Sequence, residues 1–426
     1  MHNRPLSRYG IRQILLVVVY FLVASASFNG FFLKWHLRDG MEVPAVSLPK
    51  MLDGTAARPY VYRRLLPYVA NGVDRVLPAG VKQRIDAFLL DDRPLHHPIA
   101  LYYADTPDSR DPRYALRYYL VYAMSFSALL LAMLVLRGVC WDLGANRVSA
   151  TLAPLAFALI LPLLMTEGGY FYDMAELLFM GLAVRFALRA QIISLALLTA
   201  LATFNKESFL FFVLTLYPFL RLAFPTRQTI GLQGVLLGIA ATINVMVKAQ
   251  YASNAGSVVE VHLIENLSFL AHPLSYLRFE YNYGVLTTKG FNIINLVLMS
   301  IMVRSTWSRL ALVVRQSLLI GVAINVPLFL AFSFQDELRA LSLLYIGFLM
   351  ILCEVIGVCI EGADQAQEEG GDETKAANVP VQQSQVTVRT DGHANARVGK
   401  ANHLLVIPVR KLFVSHAARC RAEMSC

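Results

Sequence analysis

Ten apolar runs punctuate this chain, near residues 13–33, 118–136, 149–166, 171–188, 191–204, 208–222, 228–248, 290–303, 316–334 and 340–360. A helix needs roughly 17–25 apolar residues to cross a hydrocarbon layer. Most of the runs meet or approach that length; 191–204 and 208–222 are short for it. The pattern predicts an all-α, polytopic transmembrane helical bundle of about ten spans over residues 1–360. Two long polar gaps, 34–117 and 249–289, separate the spans. In the first, ARPYVYRRLLPYVANGVDRVLP (57–78) repeats Tyr62, Leu65, Leu66, Val69, Val73, Val76 and Leu77 at helical spacing. Arg64, Asn71 and Arg75 fall opposite that stripe, with Arg63 on its flank. Pro59 suits a first helical turn, whereas Pro67 is expected to kink the helix or break it in two. GVKQRIDAFLLDD (80–92) repeats the idea with Val81, Ile85, Phe88 and Leu89. Such amphipathic helices lie flat at a bilayer surface.

Composition narrows the class. The chain has 426 residues, of which 56% are apolar and only 16% charged. Soluble domains carry about 25% charged residues, so an integral membrane protein is the remaining class. The net charge of +9 is then read as cytoplasmic loops and lipid headgroups, not as a nucleic-acid surface. One set of short loops holds Arg4, Arg8, Arg12, Arg137, Arg147, Arg185, Arg189, Arg221, Arg227, Arg304, Arg309 and Arg315; the short loops of the other set hold only Lys206 and Arg339. Basic residues mark the cytoplasmic side. Both termini are therefore expected inside, with loops 34–117 and 249–289 outside. The start, MHNRPLSRYGIRQ, runs into an apolar stretch without a nearby small-residue cleavage site and reads as an uncleaved first span. The five cysteines show neither a disulfide framework nor a CxxC spacing. From 361 the composition becomes polar and low in large apolar residues, so 361–426 is expected to be a cytoplasmic, largely disordered tail.

Four polar clusters converge on the expected outer side: the arginine-rich stretch 57–78, TEGGYFYDMAEL (166–177), NKES (205–208) and SFQDELRA (333–340). Singly, each has a plain explanation. An Arg-rich amphipathic helix anchors at headgroups, and ionisable residues at span ends snorkel to water. Together they exceed what solubility requires. Basic groups there can hold a phosphate, and carboxylates can act as general base or bind a metal. DDRPLHH (91–97) offers Asp91, Asp92, His96 and His97, but the order matches no ligand spacing and loop polarity explains it equally well. No cofactor and no clear metal motif is indicated, and no P-loop, GxSxG or GxGxxG occurs.

RPYVYRRLLP (58–67), GGYFYDMAELLF (168–179), TFNKESFLF (203–211) and DELRA (336–340) resemble the motifs of a group of little-characterised bacterial inner-membrane proteins. That group is similar in layout to the GT-C type glycosyltransferases, which use polyprenyl-phosphate-linked sugars. The resemblance covers roughly residues 10–360. It implies a lipid-phosphate sugar with its head at the periplasmic face of the inner membrane, and a glycan, lipid or protein acceptor. An acidic residue in the first outer loop would deprotonate the acceptor hydroxyl. Asp39 and Glu42 occupy that position, but Asp39-x-x-Glu42 departs from the usual Asp-Asp, Asp-Glu or Asp-x-Asp signature. Asp173 and Glu207 are the competing carboxylates. Arg58, Arg63, Arg64, Lys206 and Arg339 are candidates for the phosphate, with Tyr62 beside them and Asn205 and Glu337 in support. Other readings stay open: a polysaccharide polymerase or ligase acting on lipid-pyrophosphate glycans, a transporter or flippase, or a non-catalytic envelope-assembly subunit.

Overall fold

The computed structural model describes residues 8–35, 44–91, 93–103 and 105–376. Asp39, Glu42 and Asp92 lie outside the described residues. The chain divides into two units, Met1–Glu368 and Glu369–Cys426, and all the packing described below belongs to the first. The polar tail expected from 361 is helical as far as Ala376; residues 377–426 lie outside the described residues.

The ten apolar runs are all helical. Among the described residues six helices are long and apolar enough to cross a membrane. Five of them are α1 (Arg8–Leu33), α6 (Ala115–Asp142), α7 (Arg147–Leu164), α12 (Thr226–Gln250) and α15 (Leu312–Phe332). The sixth covers Leu338–Gly362 and includes the start of α16 (Tyr345–Ala376). The other four expected spans are shorter: α8 (Asp173–Leu188), α9 (Ile192–Asn205), the pair α10 (Phe209–Thr215) and α11 (Tyr217–Leu220), and α14 (Ile293–Thr306). The chain is thus a helical membrane protein. α6 is its centre and packs against α8, α7 and α1. Small residues permit the closest approach. A Cβ added at Gly181 on α8 would lie 3.1 Å from Val135 Cγ1 and 3.2 Å from Leu136 Cδ2 of α6, the kind of contact that lets helix backbones meet. Asn146 caps α7, accepting the Ser149 N–H at 2.7 Å.

The first long gap is not a bare loop. It folds into α2 (Leu48–Asp53), α3 (Leu65–Val76), α4 (Ala79–Leu89) and α5 (Pro98–Tyr102). Pro67 does not kink or split α3. The helix begins at Leu65, so Pro67 sits in its first turn, where a missing N–H costs nothing. α3 packs inward through Leu66, Pro67 and Ala70, and Asn71 fixes its rotation by donating to the Leu52 carbonyl at 2.7 Å and accepting from Arg117 at 3.0 Å. Val69, Val73 and Val76 are exposed.

The second long gap folds as well. It contains α13 (Leu263–Ala271) and a hairpin of β1 (Phe279–Asn282) and β2 (Val285–Thr288), a departure from a purely helical chain. Tyr283 and Gly284 both have positive φ (52° and 81°), the requirement of a two-residue type I′ turn. The two gaps are stitched together. The Arg58 N–H donates to the Ala255 carbonyl at 2.8 Å, and Asn254 donates to the Gly54 and Ala56 carbonyls at 3.0 and 2.9 Å.

Candidate functional site

Helix breaks build the site. α9 ends at Asn205 because Lys206 is extended (φ −157°, ψ 130°), and the chain re-enters helix at Phe209. α8 begins at Asp173, preceded by the aromatic turn Tyr170–Tyr172. Asp336 has φ 62°, a conformation that turns the chain sharply before Leu338. These breaks bring Lys206, Glu207, Asp173, Glu337 and Arg339 together beneath Arg63.

Arg63, Lys206 and Arg339 each have a carboxylate partner. Arg63 meets Glu207 at 2.7 Å. Lys206 lies 2.6 Å from Glu176 and 3.3 Å from Asp173. Arg339 is bonded to Glu337 and lies 3.5 Å from Asp173. Aromatic faces complete the coordination. Arg63 lies over Tyr60 and Tyr172, and Arg339 is 4.4 Å from the centre of Tyr170. Burial pushes the Glu207 carboxyl up, but the Arg63 guanidinium outweighs it and holds the group below the usual range. Burial likewise pushes the Lys206 ammonium down, and Glu176 and Asp173 together raise it above its ordinary value. Both groups are therefore charged at neutral pH.

Glu176 is the hub that the sequence reading passed over. Besides Lys206 it accepts hydrogen bonds from Ser208 at 2.8 Å and Ser342 at 3.0 Å. The signal was present in DMAEL: Asp173 and Glu176 are three residues apart, hence on one face of α8. Asn205 donates to the Tyr172 carbonyl at 3.0 Å and so ties the end of α9 to the start of α8.

Above this network opens a cleft of about 470 Å³. Its lining combines the charged side chains of Arg63, Lys206, Glu207, Glu337 and Arg339 with the large apolar ones of Phe211, Leu328, Phe329 and Phe332. α10 packs against α12 on one side and α15 on the other, and all three contribute to the lining. Tyr62 lines the cleft, whereas Arg58 and Arg64 do not. Arg58 donates to the Gly256 carbonyl at 2.6 Å. Arg64 bonds the Met51 carbonyl and lies 5.2 Å from the centre of Tyr251. Both guanidinium groups tie loops together through carbonyl oxygens, Arg64 from a buried position and Arg58 from a more exposed one.

The cleft also receives Lys248, from the last turn of α12. It sits over the Tyr62 ring at 5.9 Å, and among the described residues no carboxylate pairs with it. Only a lone lysine near the end of an apolar run could have flagged it. Glu207 Oε2, Arg63 Nε and Arg339 Nε are buried without a hydrogen-bond partner among the described residues. Asp173 has no such freedom, since its second oxygen accepts the Tyr170 N–H at 2.8 Å. Asp91, His96 and His97 do not line the cleft. Asp91 pairs with Arg93 at 2.6 Å, and His96 stacks on Phe88 at 3.8 Å. Among the described residues no three His, Cys, Asp or Glu side chains gather as a metal site. No family model, no curated protein and no solved structure matches the chain.

Proposed function

We propose that the protein is a membrane glycosyltransferase of the GT-C kind, transferring a sugar from a polyprenyl-phosphate donor at the periplasmic face of a bacterial inner membrane. The observation that carries this reading is the cleft whose lining combines several cations with large apolar side chains. A lipid-linked phosphate calls for both: an anionic head and a hydrocarbon tail. About ten helices cross the bilayer, with both termini cytoplasmic, and the short α8, α9, α10 and α14 are accommodated by local thinning. Membrane lipids are the surrounding partners, and the acceptor is a glycan, a lipid or a protein.

In the reaction the acceptor hydroxyl attacks the anomeric carbon. The bond from that carbon to the phosphate oxygen breaks, and the lipid phosphate leaves with the electron pair. Glu207 takes the hydroxyl proton on Oε2, the oxygen that Arg63 leaves uncommitted. Lys248 and the free Nε–H groups of Arg63 and Arg339 face the charge that develops on the phosphate, where fixed positive groups lower the barrier. Asp173 and Glu176 hold Lys206 and Arg339 in place.

The test pairs a deletion strain with purified protein in liposomes. A lost surface glycan, together with sugar transfer from a labelled polyprenyl-phosphate donor, is the expected result. Unchanged glycans together with uptake of a soluble substrate would replace this reading with transport.

A further inference from the structure

The hairpin of β1 and β2 has its polarity reversed relative to a water-facing hairpin. One face carries Phe279, Tyr281 and Leu286; strand register places Tyr281 opposite Leu286. These three side chains are exposed by 53, 74 and 73%. The other face carries Glu280, Asn282 and Thr287, with Val285 exposed beside the turn, and its polar side chains are the ones tied to the protein. Glu280 accepts from Lys34 at 2.8 Å, and Asn282 donates to Glu280 at 2.7 Å and to Thr287 at 3.1 Å. In water this arrangement would leave apolar area exposed at about 25 cal/mol per Å². Beside lipid the sign reverses.

The position of the hairpin agrees. The Tyr283 hydroxyl at its tip donates to the Leu159 carbonyl at 3.0 Å. Leu159 lies five residues before the end of α7 at Leu164, which at 1.5 Å per residue is about 7 Å inside the helix end. Lys34, just past α1, donates to the Pro162 carbonyl at 3.0 Å and fixes the hairpin against both helices. Beyond the hairpin, α14 continues the apolar surface with Ile294, Val297, Leu298 and Ile301, all exposed. The Thr288 hydroxyl bonds Asn295 of that helix at 2.6 Å. A two-stranded sheet has open edges, which are not tolerated in the hydrocarbon core. Its place is the wet boundary layer, with only the side chains reaching further in.

We propose that Phe279–Thr288 is a membrane-dipping hairpin, its Phe279/Tyr281/Leu286 face seated in the headgroup–acyl boundary of the leaflet that receives the C-terminal ends of α1 and α7. The inference does not depend on the catalytic reading. α3 likewise leaves Val69, Val73 and Val76 exposed beside its inward-packed Leu66 and Ala70. The occupant of both faces is lipid.

The experiment places an environment-sensitive nitrobenzoxadiazole label at Leu286→Cys in a background without the native cysteines. The protein is reconstituted in phosphatidylcholine–phosphatidylglycerol nanodiscs. A second variant, Ser257→Cys, reports an exposed loop position. The label at 286 is expected to emit at shorter wavelength than that at 257. It should lose most of its emission to a lipid carrying a nitroxide near the headgroup and little to aqueous iodide. Quenching by iodide equal to that at 257 would overturn the proposal. So would protection from both quenchers, which would place protein, a second copy included, over the face.

Discussion

Lys206 and Glu207, adjacent on the chain, belong to different ion pairs. Lys206 Nζ lies 2.6 Å from Glu176 on α8, and Glu207 Oε1 lies 2.7 Å from Arg63. The break at the end of α9 lets the two side chains take different partners: Lys206 is tied to α8, whereas Glu207 keeps one carboxylate oxygen without a hydrogen-bond partner among the described residues.

Glu176→Gln should therefore destabilise the protein more than any other single change in the network. It would leave the buried Lys206 with Asp173 alone and weaken the bonds from Ser208 and Ser342. Removing one partner of a buried pair costs about 3–5 kcal/mol. A lower melting temperature in detergent, together with reduced abundance in membranes, is the expected outcome. A melting temperature equal to wild type would remove Glu176 from its place as hub.

Glu207→Gln should separate stability from activity. Arg63 keeps a neutral hydrogen-bond acceptor, so the stability loss should stay near 1–3 kcal/mol, while sugar transfer from the labelled donor should be lost. A double-mutant cycle of Arg63→Met with Glu207→Gln should give a coupling of about 0.5–3 kcal/mol by thermal melts. Full activity of Glu207→Gln would show that this carboxylate only positions Arg63.

The same carboxyl sets an acid limit. The Arg63 guanidinium outweighs burial and holds its folded pKa below the ordinary carboxylate value of 4.5. The stability it contributes is thus fully present above that value and is lost as pH falls through the lower, folded value. Melting temperature should be insensitive to Glu207 between neutral pH and about pH 5. Below that, wild type should lose stability more steeply than Glu207→Gln. Parallel acid limbs for the two proteins would contradict the pairing.

Lys248→Ala should leave the fold alone, within about 0.5 kcal/mol, because no carboxylate depends on it. Its effect should appear in donor binding, as a raised KM with the melting temperature unchanged. A wild-type KM would remove Lys248 from the phosphate site.

Gly290→Ala tests the turn that supports the cleft. Gly290 has φ 53°, and an added Cβ would collide with the Asp336 carboxylate, whose Oδ1 accepts the Phe291 N–H at 2.9 Å. Strained backbone of this kind costs about 1–3 kcal/mol, before the collision is counted. A loss of thermal stability is expected, and the neighbouring Glu337–Arg339 pair should weaken with it, read as lower transfer activity.

Much of the architecture was written along the chain. Apolar runs of sufficient length determine a membrane bundle whatever their packing, because backbone N–H and C=O groups in lipid must bond within their own helix. The polar clusters at 166–177, 205–208 and 333–340 were likewise visible, since charge is rare inside apolar sequence. Partner choice was not. A buried charge binds whichever carboxylate the fold delivers, so Lys206 took Glu176, 30 positions away, and Arg63 took Glu207, 144 away. Arg58 and Arg64 share a motif with Arg63 yet serve loop carbonyls, because the Tyr60–Tyr62 turn points the three guanidinium groups in different directions. Helical periodicity placed the apolar stripe of α3 but not its division: Leu66 packs inward while Val69, Val73 and Val76 stay exposed, because the bonds of Asn71 to Leu52 and Arg117 set the rotation of the helix.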